Sequence, residues 1–226
     1  MKTLIWHMKA TDMAQLQGAR VILRDKRPED SELDYRWRSD PELARLDAAY
    51  PLTMNYDRYL KMFQDQLRYP TPGSHHYAIE VAGSKFIGNC MYYDLDSVKK
   101  GAELGIVIGD RDYWSGSYGF DAVVTLLDHM FSEIEMERVY LHTLESNGRA
   151  RGCFSKCGFK AVREVRRMGH DFILMEVLRA DWLEQSEELL ADRWRYLNER
   201  GGEPVAPVVS APVSNQPAAE QSPAEN

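Results

Sequence analysis

The chain has 226 residues, a length that suits one well-buried core, and 44% hydrophobic with 28% charged residues is ordinary for a globular protein. A formal net charge of −7 without a basic run disfavours nucleic-acid binding, and suits either a cationic partner or solubility alone. No apolar stretch is long enough for a membrane helix or a signal peptide, and three sparse cysteines predict no disulfide framework, so we expect a cytoplasmic protein.

The first half of the chain mixes short strand and helix signals. Prolines at the starts of two apolar-periodic segments suit the first turn of a helix, and period-two alternation marks the strands. In chain order we predict a strand over 20–24, helices over 28–38, 41–48 and 55–68, and strands over 77–81, 86–93 and 102–108.

The second half reads as strand–helix units. An apolar stripe at helical spacing comes first, formed by Phe120, Val123, Val124, Leu127, Phe131 and Ile134. We then predict a strand over 139–141, a helix over 147–157, a hairpin of 160–168 and 171–179 turned at Gly169, and a helix over 181–199. Meandering strands followed by strand–helix units predict an α/β domain around one mixed sheet flanked by helices.

The composition changes sharply near the end of the chain. Residues 201–226 contain no Lys, Arg, aromatic residue, Leu or Ile, and they are rich in Pro and Ala. Such a segment buries too little apolar surface to offset the entropy of ordering, which predicts a disordered tail. We therefore divide the chain into an N-terminal extension (1–18), a main domain (19–180), a C-terminal helix (181–200) and the tail (201–226).

The most informative segment is 102–122, where a predicted strand passes through a turn of small residues into an amphipathic helix. The first turn of a helix presents backbone N–H groups without internal partners, and Gly and Ser let an anion approach them. The segment is neither a Walker loop nor a dinucleotide fingerprint, because the required Lys and glycine spacings are absent. A plain glycine-containing loop is the alternative.

Residues 102–122 resemble the acetyl-CoA-binding motif of the GNAT superfamily, in the form of its Rim-type branch, the ribosomal-protein N-terminal acetyltransferases and their relatives. The segments 145–150, 154–159 and 171–182 resemble later blocks of that family, and 21–24 with 37–42 resemble its opening. The resemblance covers about residues 19–182, with the blocks in the family's order. It implies a GNAT fold, with a mixed sheet of about seven strands in which splayed parallel strands form the acetyl-CoA cleft.

The resemblance also implies roles for particular residues. The backbone of Ile106, Val107 and Ile108 would line the acetyl-pantetheine arm at a bulge, and N–H near Val107 would polarise the thioester carbonyl. Asn147 would reach the pantetheine or the acceptor. The turn that would hold the pyrophosphate consists of Trp114, Ser115, Gly116, Ser117, Tyr118 and Gly119. No metal is implied, and Cys153 with Cys157 lacks the second ligand pair of a zinc site.

The implied reaction is direct attack of an amine on the thioester, with Glu103 as the candidate base through water. The alternative for Glu103 is a carboxylate that only orients loops. Phe154 stands where the family often has the Tyr thought to protonate the thiolate, and phenylalanine has no proton to give. Water, Ser155 or Tyr140 could serve instead, or the thiolate could leave unassisted. Ser115 and Ser117 replace the family's usual glycines and could narrow the pyrophosphate site.

Three functions stay open at this point. The first is an N-acetyltransferase acting on a primary amine, whether a protein N-terminus, a polyamine, an amino sugar or another small amine. The second is a non-catalytic acyl-CoA-binding module, favoured by Ser117 and Phe154, and the third is an interaction module that uses the tail. Tyr50, Tyr92 and Tyr93 could wall a substrate site or simply pack. By family resemblance the protein is a monomer or a homodimer, without nucleic-acid or membrane partners.

Overall fold

The computed structural model describes residues 15–200, with side chains described as far as residue 195. The predicted tail (201–226) and most of the predicted N-terminal extension lie outside the described residues. The strands are β1 (Leu16–Gln17), β2 (Ile22–Asp25), β3 (His75–Val81), β4 (Lys85–Asp96), β5 (Gly101–Ile108), β6 (Arg138–Leu144), β7 (Lys160–Arg167) and β8 (His170–Leu178). The helices are α1 (Ser31–Ser39), α2 (Pro41–Leu46), α3 (Tyr56–Arg68), α4 (Tyr118–Ser132), α5 (Gly148–Lys156) and α6 (Arg179–Arg200).

The strands form one mixed sheet in the order β1-β2-β3-β4-β5-β6-β8-β7. All neighbouring strands are antiparallel except β5 and β6. The sheet thus has eight strands within the described residues, where the sequence predicted about seven. The additional strand is β1, whose two residues pair with β2 and are too few to give a periodic signal.

One face of the sheet carries the main hydrophobic core. The side chains of Val123, Val124 and Leu127 on α4 are fully buried against this face. Trp182 of α6 extends the core, because its ring stacks on Phe131 with centroids 5.5 Å apart. The helical stripe predicted from the sequence is therefore the core face of α4, although its last member, Ile134, lies beyond the end of the helix.

A buried carboxylate fixes the start of the domain to α4. The Asp121 side chain accepts backbone N–H groups from Ala19 at 3.1 Å, Arg20 at 2.6 Å and Val21 at 3.0 Å. Because these donors precede β2, Asp121 holds the entry to the sheet against the first turn of α4. A buried carboxylate needs such partners to offset its loss of hydration.

The opposite face of the sheet is covered by α1 and α3 through polar contacts. The Asp34 carboxylate on α1 accepts a hydrogen bond from the Asn89 amide nitrogen at 2.6 Å and another from the Tyr59 hydroxyl. Lys26 pairs with the same carboxylate at 3.2 Å. These contacts attach α1 and α3 to β4.

The parallel pair β5–β6 separates after a short contact. Gly101, Ala102 and Glu103 pair with 138–140, and no further pairs follow although β5 continues to Ile108 and β6 to Leu144. Each strand keeps its other neighbour along its length, so the two halves of the sheet diverge. The result is a wedge between the C-terminal parts of β5 and β6, as the family resemblance implied.

No described helix is both long enough and apolar enough to cross a bilayer.

Candidate active site

The wedge between β5 and β6 opens into a cavity of about 520 Å³, a volume typical of small-molecule sites. One wall is the end of β5 and the turn into α4, and the other is α5. The short helix α2 contributes Leu43 and Leu46, with Asp47 just after it. Nine of the residues singled out from the sequence line this cavity: Ile106, Val107, Ile108, Trp114, Ser115, Ser117, Gly119, Asn147 and Phe154.

The backbone groups of β5 are divided between a neighbouring strand and the cavity. Val107 is paired with Asn89 of β4, and the N–H groups of Gly109 and Asp110 both donate to the Ile87 carbonyl oxygen. Because backbone direction alternates along an antiparallel ladder, Val107 turns its N–H towards β4 while Ile106 and Ile108 turn theirs towards the wedge. The N–H groups near Val107 that point into the wedge are therefore those of Ile106 and Ile108.

The β-bulge expected at 106–108 lies elsewhere. The β4–β5 register is regular from Glu103 to Ile108 and shifts only between Tyr93 and Asp96. The shared acceptor of Gly109 and Asp110 is the pattern of a bulge, immediately after the end of β5. The strands separate because β5 and β6 follow different antiparallel partners, and a bulge within 106–108 is not needed.

In the turn before α4, two serines that replace family glycines have strained backbone conformations. Ser115 has a φ of 61° and Ser117 a φ of 65°, both in the left-handed region that glycine adopts without a steric penalty. Ser117 is the N-cap of α4 but makes no side-chain capping hydrogen bond. The turn thus keeps a backbone shape suited to glycine and brings the first N–H groups of α4 to the cavity end.

Gly116 and Tyr118 of the same turn face away from the cavity lining. The Gly116 carbonyl oxygen accepts a hydrogen bond from the Arg20 guanidinium. That guanidinium lies over the Tyr118 ring, 4.5 Å from its centroid, and the ring packs edge-on against Tyr113. Both residues therefore hold the turn against the N-terminal segment. Their position in the sequence alone could not distinguish them from the residues of the turn that line the cavity.

A tryptophan and an arginine meet at the cavity. The Trp114 indole N–H donates to the Ile108 carbonyl oxygen at 2.7 Å, and the Arg149 guanidinium lies 3.5 Å from the Trp114 ring centroid. Arg149 and Lys156 of α5 also line the cavity, which gives the α5 wall positive charge. Neither cation was predicted from the sequence, because isolated Arg and Lys residues on a helix are common on protein surfaces.

Asn147 and Phe154 belong to the α5 wall. The Asn147 side-chain oxygen accepts the Ala150 N–H at 3.2 Å, so Asn147 is the N-cap of α5, and its amide nitrogen donates to the Leu46 carbonyl at 3.4 Å. Phe154 is buried and packs edge-on against Phe159, with centroids 5.8 Å apart. Ser155, one alternative source of a proton, is exposed and does not line the cavity.

One of the two helix cysteines also lines the cavity. Cys153 is half-buried there, whereas Cys157 is fully buried at the end of α5. A hydrogen bond with Cys157 lowers the pKa of the Cys153 thiol, and burial raises the pKa of Cys157. Within residues 15–200 no group of three or more His, Cys, Asp or Glu side chains is placed to hold a metal ion.

Glu103 lies at the apex of the wedge, deeper than the cavity lining. Its carboxylate Oε1 is 2.8 Å from Nδ1 of His142, and both side chains are about nine-tenths buried. Tyr93 of β4 and Tyr140 of β6 are the register partners of Glu103 on either side. Burial raises the pKa of both tyrosines, and the neighbouring Glu103 charge acts in the same direction.

His142 was not predicted, because a single histidine in a strand carries no spacing signal. The structure also separates the three tyrosines named as possible walls of a substrate site: Tyr50 is 95% exposed, Tyr92 stacks on His75 with ring centroids 6.1 Å apart, and Tyr93 is beside Glu103.

Comparison with known proteins agrees with this fold. The family model described as Acetyltransferase (GNAT) domain matches residues 20–160. A Bacillus licheniformis protein named uncharacterized N-acetyltransferase p20 is 25% identical over 128 residues, which cover 56% of this chain and 71% of that protein.

Two solved structures share the fold at low identity. Spermidine N-acetyltransferase from Vibrio cholerae, in complex with CoA and spermine, has a TM-score of 0.65 and 16% identity, covering 73% of this chain and 98% of that one. Mycobacterium smegmatis RimJ, in complex with CoA-disulfide, has a TM-score of 0.66 and 18% identity, covering 81% and 96%. Since the family match spans more than half of the sequence, the chain belongs to the GNAT family of N-acetyltransferases.

Proposed function

We propose that the protein transfers an acetyl group from acetyl-CoA to a primary amine, by direct attack of the amine on the thioester. The observation that carries this proposal is the cavity in the wedge, which combines a strand edge, a helix N-terminus and a charged helix wall in about 520 Å³. This combination suits a ligand with an extended amide-containing arm at one end and phosphates at the other.

Acetyl-CoA would lie along the β5 wall of the cavity. The wedge-facing N–H groups of Ile106 and Ile108 and the C=O group of Ile106 can bind the amides of the pantetheine arm as a neighbouring strand would. The pyrophosphate would meet the turn from Ser115 to Gly119 and the first N–H groups of α4, with Arg149 supplying positive charge. The Vibrio cholerae and Mycobacterium smegmatis structures named above contain CoA or its disulfide, which supports this ligand.

The acceptor amine would approach from the apex of the wedge. The carboxylate of Glu103 and the imidazole of His142 lie there beside the tyrosine rings. Negative charge and aromatic faces both attract a cationic ammonium group. A protein N-terminus, a polyamine, an amino sugar or another small amine is compatible with this chemistry.

The oxyanion of the tetrahedral intermediate would be stabilised by an N–H group of Ile106 or Ile108, directed at the thioester oxygen. Holding amine and thioester together supplies a further large part of the rate. The thiolate can leave although Phe154 cannot protonate it, because a thiol with a pKa of about 8.5 is a tolerable leaving group.

A second candidate is a non-catalytic acyl-CoA-binding module. The observation that favours it is Phe154, which is packed against Phe159 and has no hydroxyl to protonate the thiolate. This module would bind acetyl-CoA in the same cavity without turnover.

A thiol-release assay with acetyl-CoA and a panel of amines tests both candidates, with calorimetric titration of CoA beside it. The panel contains spermidine, amino sugars, free amino acids and peptides with varied N-termini. Ala150→Trp puts a ring into the cavity and should lose both binding and turnover, whereas Ala161→Trp on the exposed strand β7 should keep both.

The outcomes separate the candidates. Thiol release that depends on an amine supports the transferase and gives the acceptor class. CoA binding that Ala150→Trp removes, without turnover on any amine, supports the binding module. Absence of CoA binding by the unaltered protein would contradict both.

A further inference from the structure

We infer that His142 is the group that removes the proton from the acceptor ammonium, and that Glu103 is a positioning residue which orients the imidazole. This inference deepens the proposed function and rests on it. It changes the role that family resemblance gives to Glu103, and it comes from the geometry of one residue pair.

The first observation is which nitrogen of the ring meets the carboxylate. His142 Nδ1 lies 2.8 Å from Oε1 of Glu103, and the exposed fractions of the two side chains are 9% and 11%. An ionised carboxylate only accepts hydrogen bonds, so the neutral ring carries its hydrogen on Nδ1 and its lone pair on Nε2. Among the described residues Nε2 has no hydrogen-bond partner, which leaves this lone pair available to a ligand.

The second observation is the order of the two groups along the wedge. Glu103 is paired with Tyr140 in the last parallel pair, and His142 follows two residues later on the same face of β6. The cavity lining begins at Ile106, further along β5. His142 therefore stands one step closer to the cavity than Glu103, and the carboxylate lies behind the ring.

The third observation is that the neighbours hold the ring in place. The residue of β5 at the level of His142 is Gly105, and the side chains of Met91 and Tyr93 on β4 occupy the space beside it. Tyr140 packs edge-on to the imidazole, with ring centroids 6.0 Å apart, and fixes its plane. A carboxylate on one nitrogen and an aromatic contact on one edge hold the ring in a single orientation.

The proton balance follows from this arrangement. Nε2 takes one proton from the ammonium R–NH₃⁺, which gives the free amine and an imidazolium whose charge is stabilised by the Glu103 carboxylate. The amine nitrogen forms a bond to the thioester carbon, and the C–S bond breaks as the tetrahedral intermediate collapses. The second amine proton goes to the thiolate to give CoA–SH, and the imidazolium then releases its proton to solvent.

Several charged or titratable groups surround this pair and contribute to its pH dependence. Asp94 on β4 and Asp47 after α2 add negative charge, while Arg138 on β6 lies over the Tyr140 ring and pairs with Glu176 of β8. The titratable groups next to the pair are Tyr93 and Tyr140, and the charges that act on these two tyrosines are those of Asp47, Asp94, Arg138 and Arg167.

The test is the pH profile of kcat/KM for thiol release, with whichever amine of the panel turns over. Because the imidazole must be unprotonated to accept a proton, kcat/KM of the wild type should rise with pH. His142→Gln should lose this rise and fall by about 10²-fold at pH 7, with the deficit shrinking as the pH approaches the pKa of the acceptor itself. Added imidazole should restore part of the rate to His142→Ala, which a purely structural role would not allow.

Glu103→Gln and a second histidine provide the controls. The amide oxygen of Gln can still accept the Nδ1 hydrogen, so Glu103→Gln should keep the pH-dependent rise with a smaller loss, about tenfold. His129 of α4 pairs with Glu133 at 3.2 Å on the opposite side of the sheet, so His129→Gln should leave the profile unchanged.

The outcomes distinguish the inference from the function on which it rests. If His142→Gln keeps the rise and Glu103→Gln abolishes it, Glu103 is the base and the inference is wrong. If wild type and His142→Gln have equal profiles, the inference fails while the transferase stands. If the wild type binds CoA and releases no thiol with any amine at any pH, the proposed transferase fails and the role of His142 fails with it.

Discussion

The Trp114 ring connects the two walls of the cavity, because its indole N–H reaches Ile108 at 2.7 Å while Arg149 lies 3.5 Å from the ring centroid. One contact belongs to the end of β5 and the other to α5. The position of the Arg149 charge is thus set by a strand on the far side of the wedge. This relationship makes Arg149 the cation best placed to meet a phosphate in the cavity.

Arg149→Gln should weaken CoA binding about 10- to 100-fold, because a charge-assisted contact to phosphate contributes about 1.5–3 kcal/mol. Titration calorimetry at low and high salt measures the change, and the loss should be smaller at high salt. Arg151→Gln is the matched control, since Arg151 is exposed on the same helix and does not line the cavity. Equal effects of the two substitutions would contradict a specific role for Arg149.

Cys153 should be the one rapidly alkylated cysteine of the native protein. Cys90 and Cys157 are fully buried, and the hydrogen bond with Cys157 lowers the pKa of the Cys153 thiol, which favours the reactive thiolate. Acetyl-CoA has no free thiol, so it does not itself consume N-ethylmaleimide. At a concentration of about ten times its Kd, it should slow the modification of Cys153 by N-ethylmaleimide about tenfold. Peptide mass spectrometry identifies the modified cysteine, and Cys153→Ser is the control. Modification that acetyl-CoA does not slow would place the ligand outside this cavity.

Ser117→Gly should stabilise the protein by about 1 kcal/mol, because a left-handed φ is costly for serine and not for glycine. No side-chain cap is lost, since the Ser117 hydroxyl does not cap α4. Ser117→Ala keeps the Cβ and the strain, so it should not show the gain. Urea unfolding measures both variants, and a loss of stability in Ser117→Gly would show that the hydroxyl has a role beyond those described.

Asp121→Ala should destabilise the fold by about 3 kcal/mol, because three buried N–H groups lose their acceptor. Asp121→Asn keeps one side-chain oxygen and should lose less. The exposed Asp65 of α3 provides the control, and Asp65→Ala should stay within about 0.5 kcal/mol of the wild type. Similar unfolding midpoints for Asp121→Ala and Asp65→Ala would contradict the anchoring role of Asp121.

Much of the fold was predictable because its signals are local. The hairpin turn shows this: the sequence placed it at Gly169, and Met168 and Gly169 both have positive φ, as a two-residue hairpin loop requires. The strand β1 was not predicted, because it is held by pairing with β2 and by the nearby Asp121 contacts, which join residues about 100 positions apart. Long-range contacts of that kind leave no periodic trace in a sequence.

The candidate site likewise has residues that the sequence predicted and residues that it did not. The cavity residues of 106–119 follow one another along a strand, a turn and a helix, so a continuous motif was enough to identify them. The facing residues Arg149 and His142 are brought in by α5 and β6. The local sequence of His142 carries no signal, and Arg149 lies in a recognised block without a contact that residue types could predict. The direction of the Val107 backbone likewise depends on which pairs of the β4–β5 ladder are hydrogen-bonded, a property that residue types do not encode.

The short parallel contact of β5 and β6 has a mechanical consequence. The sheet consists of two panels, one of strands β1 to β5 and one of β6, β8 and β7, and within the sheet they share three residue pairs. An extended ligand that pairs with the free edge of β5 would act as a removable strand between these panels. Occupancy of the site and cohesion of the protein would then be coupled, so that amide hydrogens on both panels should exchange more slowly when the cleft is filled.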